Sequence, residues 1–154
     1  PGAAANFALL VRAVRAGWPL PLASIRNRRS FLYVGNLASA VAVCLDHPAA
    51  AGGVFEPSDG EPISTPDFVR AIAAAVGRPA RLLPCPPALL RLGARVLGRA
   101  ATAERLVGDL ISDDAPMRVR LGWHPPVPLA EALAASAGPE SNGDGSTPCP
   151  RGAT

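Results

Sequence analysis

Arg26, Arg28 and Arg29 crowd together and run directly into Ser30-Phe31-Leu32-Tyr33-Val34. Guanidinium groups next to an alternating apolar segment are what a phosphate or other anion site requires, because a planar, permanently charged fork grips oxyanions and a buried segment holds it still. Ser30, Leu32 and Val34 alternate with Phe31 and Tyr33, which is the period of an extended strand. An anion site is one reading of this cluster. A solvated loop of arginines beside a core strand is the other, and spacing alone leaves both open.

Other chemistries find little support. All 15 basic residues are arginine, so Schiff-base, P-loop and Tyr/Lys relay chemistry have no lysine to use. Tyr33 is followed four positions later by Leu37, not lysine. His47 and His124 each precede a proline at the end of an element, with no serine in a GxSxG setting. The glycines never fall at dinucleotide-fingerprint spacing between a strand and a helix. Cys44, Cys85 and Cys149 lie far apart with no CxxC pair, which predicts reduced thiols and no zinc site. Asp113-Asp114 sits just before a helix, where stabilising its N-terminus is the simpler role.

The elements that would position the arginines follow from periodicity. Residues 6–16 place Phe7, Leu10, Val11 and Val14 at helical spacing, with Gly17 as a stop. Asn6 suits an N-cap, or it turns its amide toward a ligand. Residues 18–25 hold too much proline for a central strand and read as an edge strand or extended loop. After a strand over 30–34, Asn36 is placed to cap an almost wholly apolar helix from Leu37 to Asp46, which belongs inside a fold against a sheet. A short strand is expected over 53–57. Ser64-Thr65-Pro66-Asp67 then opens a helix that buries Phe68, Val69, Ile72 and Val76 before Gly77. Residues 81–85 read as another extended piece, followed by a helix from Pro86-Pro87 with Arg91, Arg95 and Arg99 on one solvated face. A helix entrance at 113–116 and a last helix from Leu129 to Ala137 complete residues 1–138. Residues 139–154 have little to bury and are expected to be disordered. This order predicts an α/β fold, or α+β in isolation.

The 154 residues, 49% hydrophobic, are enough for one domain with a real core. No apolar run is long enough to span a bilayer, so no membrane partner is expected, and the thiol usage points to a cytoplasmic protein. The net charge of +3 is small but uneven, since Arg12, Arg15, Arg26, Arg28 and Arg29 all precede the first acid, Asp46. With 5% aromatics and no nucleic-acid motif, base stacking is not expected.

Taken in order, Asn6-Phe7, the proline-rich 18–22, Arg29-Ser30-Phe31-Leu32-Tyr33-Val34 with Asn36-Leu37-Ala38, Ser64-Thr65-Pro66-Asp67 and Leu121-Gly122-Trp123-His124-Pro125 resemble the C-terminal half of an extended short-chain dehydrogenase/reductase. The similar group is the NAD-dependent sugar-nucleotide epimerase/dehydratase family. The resemblance implies that Asn6 contacts a diphosphate, that backbone around Leu20 and Leu22 meets a base, and that Arg29 binds phosphate. It implies that Arg105, shortly before the pair Gly108-Asp109, is a second phosphate-binding arginine, and that Asp109 belongs to the substrate-binding residues. It further implies a nucleotide-diphosphate sugar as ligand, NAD(P) bound only by an N-terminal Rossmann half that this sequence lacks, and no catalytic residue or turnover in this chain alone. The acid usual in the family's YVxDxA segment is Asn36 here. Two other readings stand beside this one: a non-enzymatic, arginine-rich anion- or protein-binding module, and a chain that needs its partner half to fold stably.

Overall fold

Six α-helices and three isolated β-bridges make up the regular structure of the described residues in the computed structural model, which describes residues 2–96, 98, 104 and 107–137. The helices are α1 (Gly2–Arg15), α2 (Val34–Asp46), α3 (Thr65–Ala75), α4 (Pro87–Val96), α5 (Ala115–Leu121) and α6 (Leu129–Ser136), with a 3-10 turn at Pro48–Ala50. The expected disorder of 139–154 lies outside the described residues.

α3 is the centre of the main core, packing against both α1 and α6. Its start is fixed locally: Ser64 Oγ accepts the Asp67 N–H at 3.2 Å and also bonds the Asp67 carboxylate, while Pro66 occupies the first turn. Its end is equally local, with Gly77 at φ +65°, a conformation that side chains with a Cβ avoid. Between them Phe68, Val69, Ile72 and Ala73 are buried against Val11 and Val14 of α1, Leu22, Ile25, Leu133 and Ala137. Val69 and Ile72 are wholly enclosed, each contributing about 1.5–3 kcal/mol by leaving water. A second, smaller cluster joins Ala40 of α2 to Met117 and Leu121 of α5 and to Trp123.

The fold differs from the α/β expectation because the predicted strands do not form ladders. Residues 30–33 belong to no strand, and pairing is confined to Arg29, which bridges Ile63 antiparallel and Leu110 parallel. Leu20 bridges Leu82 in the same isolated way. Residues 53–57 form no bridge among the described residues, and Val54 is 85% exposed. A strand is stable only beside a neighbour, and this segment has none here.

Two capping expectations are also corrected. Asn6 lies one turn inside α1, which runs from Gly2 through an alanine-rich stretch with strong helix propensity. Asn36 lies inside the first turn of α2, and its amide is used by distant partners instead: Nδ2 donates to Asp59 Oδ1 at 2.8 Å and to the Val127 carbonyl at 2.9 Å, while Oδ1 accepts the Val127 N–H at 3.0 Å. The other oxygen of Asp59 accepts the N–H of Tyr33, the residue just before α2. The apolar helix α2 is only half enclosed. Val34, Leu37, Val41 and Leu45 form an exposed stripe along its outer face.

Candidate functional site

The segment holding Arg29 is fixed from both sides. The Arg29 N–H and carbonyl pair with Ile63 at 2.9 and 3.0 Å, and the Ser30 N–H donates to the Leu110 carbonyl at 2.7 Å. Just upstream, buried Asn27 ties the segment to α3: its Nδ2 donates to Thr65 Oγ1 at 2.9 Å and its Oδ1 accepts the Thr65 N–H at 2.8 Å. The Arg28 N–H donates to Asp109 Oδ1 at 2.8 Å. An arginine on such a clamped backbone loses little further freedom when it meets a ligand.

Arg29 lines a cavity of about 760 Å³ whose walls come from α1, the segment 29–34, α3 and α6. Asn6 and Leu10 lie one turn apart on α1 and face the same space. The floor is aromatic: Phe31 stacks on Phe68 with centroids 3.8 Å apart and planes within 9°, and Phe7 meets Phe68 at 6.2 Å. Among the lining residues Arg29 is the cation and Asp59 the one carboxylate. The two oxygens of Asp59 accept the Tyr33 N–H at 2.6 Å and the Asn36 amide at 2.8 Å, so its charge is already met by donors. The Arg29 guanidinium donates to the Gly108 carbonyl at 3.2 Å. One cation, one primary amide and an aromatic, apolar wall can hold an anion joined to a ring.

The residues singled out in the sequence separate into groups. Asn6 and Arg29, 23 positions apart, meet in one cavity. Leu20 and Leu22 do not line it. The Leu20 N–H and carbonyl are taken by Arg81 and Leu83 at 2.8 Å each, and the Leu22 side chain is in the core. Asp109 is exposed and holds the Arg28 backbone, while its neighbour Leu110 lines the cavity. Arg105 lies outside the described residues.

Tyr33, Asp59, Thr65 and the Phe7–Phe68 pair were not foreseen as part of the site. Every residue from Arg29 to Val34 lines the cavity, so closeness to Arg29 in the chain was the signal for Tyr33. His47 accepts the Ala49 N–H and so caps the 3-10 turn, and Asp113 accepts the Ala115 N–H at the start of α5. Among the described residues no three His, Cys, Asp or Glu side chains are grouped to hold a metal ion, and no helix is long and apolar enough to cross a membrane.

Comparison with known proteins bears out the resemblance carried by the motifs. The chain is 41% identical over 138 residues to the UDP-glucose 4-epimerase of Vibrio cholerae, a match covering 89% of this chain. It spans only 42% of that relative's length. No family model and no solved structure matches it. Across 89% of its length the chain is therefore similar to a portion of a UDP-glucose 4-epimerase.

Proposed function

We propose that this chain is the nucleotide-sugar-binding portion of an NAD-dependent, UDP-glucose 4-epimerase-like enzyme of the cytoplasm. The observation that carries the reading is the meeting of Asn6 and Arg29, chosen by their motifs, in one cavity of about 760 Å³. That volume is in the range of sites for small organic ligands. Arg29 holds the pyrophosphate through its guanidinium, Asn6 donates to the same group, and the aromatic wall packs against a ring of the ligand.

In such an enzyme NAD supplies the hydride acceptor. The residues described here do not fit that cofactor, because their left-handed glycines close turns and helices instead of forming a phosphate loop between a strand and a helix. NAD belongs to a Rossmann half outside this sequence, to which residues 53–57 would add as a strand, and this chain alone has no epimerase turnover. The exposed stripe of α2 and the unpaired segment 53–57 fit burial against that half.

A thermal-shift panel with UDP-glucose, dTDP-glucose, UDP and a short DNA duplex tests the reading. The nucleotide sugars and UDP raise the melting temperature and DNA does not. Asn6→Ala, an exposed position, and Arg29→Lys, which keeps the charge but loses the fork, both reduce the shift. Stabilisation by DNA alone, or by none of the ligands, would overturn it.

A further inference from the structure

We infer that Tyr33 is the sugar-side wall of this cavity, and that Gly35 is the residue that lets its ring stand there. The inference rests on the nucleotide-sugar reading above and adds to it a contact residue and the device that positions it.

Tyr33 is partly exposed and lines the cavity together with Arg29 and Phe31. Phe31 has its partner in Phe68. The Tyr33 ring stacks on no other aromatic ring, and its hydroxyl forms no hydrogen bond, among the described residues. Instead the ring lies over the first turn of α2. A Cβ built on Gly35 would stand 2.6 Å from Tyr33 Cε1, closer than real Cβ contacts come, and 3.2 Å from Cδ1, so the ring would have to shift.

Gly35 is not explained by its backbone, since it is helical and absent from the left-handed glycines. A glycine inside a helix costs about 0.5–1 kcal/mol relative to alanine. The space taken by the tyrosine ring accounts for it. At about 3.3–3.6 Å per residue of fully extended chain, the Tyr33 Cα can stand at most about 14 Å from that of Arg29. Two side chains of this length, approaching from those positions, span a phosphate and the ring attached to it. A phenol offers a flat apolar face and one hydroxyl, which suits a hexose with its C–H face and equatorial hydroxyls.

Titration calorimetry of UDP-glucose and UDP against wild type, Y33A, G35A and Y33A/G35A tests this, with circular dichroism melts confirming that each is folded. Y33A binds UDP-glucose about tenfold more weakly and leaves UDP unchanged, as expected for the loss of one aromatic contact. G35A copies Y33A because its methyl displaces the ring, and G35A adds nothing once the ring is gone. If wild type binds but Y33A keeps its UDP-glucose affinity, loses UDP equally, or shows a further loss with G35A, this inference fails while the cavity reading stands. Failure of wild type to bind either ligand removes the cavity reading itself. Should Y33A not fold, Y33F is read in its place: about threefold weaker UDP-glucose binding supports the contact, and unchanged binding overturns it.

Discussion

Replacing Asn36 by aspartate keeps the shape of the side chain and reverses the sense of its hydrogen bonds. The buried amide now donates to Asp59 and to the Val127 carbonyl. Asn36→Asp removes both donors and sets a second carboxyl beside Asp59. Losing a hydrogen bond to a charged group costs about 1.5–3 kcal/mol and a buried carbonyl without a donor about 1–3, so the variant should lose about 3–5 kcal/mol at neutral pH. That is a large share of a domain's stability of about 5–15 kcal/mol. A buried carboxyl pair holds a proton to higher pH in the folded chain than in the unfolded one. The deficit relative to wild type therefore narrows as pH falls from 7.5 to 5 and widens as it rises. Urea melts followed by circular dichroism at the two pH values measure it. A loss below about 1 kcal/mol at pH 7.5, or a deficit that does not change with pH, would refute the account of this network.

Two further predictions concern α3 and α2. Ser64→Ala removes the cap of α3 and should lower stability by about 1 kcal/mol in a denaturant melt. The Ser64 hydroxyl, followed by Arg70, holds the Asp67 carboxyl below its ordinary range. Its contribution is complete above that range and fades as acid drives pH down through the folded value, so the wild-type–S64A difference should shrink below about pH 4. On α2, Val41→Gln with Leu45→Gln should leave the melting temperature of this chain nearly unchanged, because both side chains are exposed, Leu45 at 81%. The same pair should reduce concentration-dependent association seen by light scattering. A fall in melting temperature of several degrees would mean that the stripe is already packed.

What the sequence disclosed was local. The start and end of α3 were readable because Ser64, Pro66, Asp67 and Gly77 act on their own turn, and its buried face follows from Phe68, Val69 and Ile72 at helical spacing. The strands were not readable because alternation signals an extended chain without saying whether a neighbour exists, and residues 53–57 have none here. Asn36 as a cap was wrong for a related reason: its partners Asp59 and Val127 are 23 and 91 positions away, and no local pattern reports them. Asn6 and Arg29, chosen through their motifs, both line the cavity. Leu20 lies outside the cavity and pairs with residues 81–83, a tertiary contact that no local pattern reports, and Asp59 was missed because its task is to hold Tyr33 and Asn36 in place.

The most direct test is a two-dimensional ¹H–¹⁵N titration of the isolated chain with UDP-glucose. Saturable shifts of the backbone amides of Asn6, Arg29, Ser30 and Tyr33, together with the Asn6 side-chain amide, and quiet amides along the outer face of α2, are the predicted result. Shifts confined to the exposed arginines outside the cavity, or none at ligand concentrations in the millimolar range, would contradict the account.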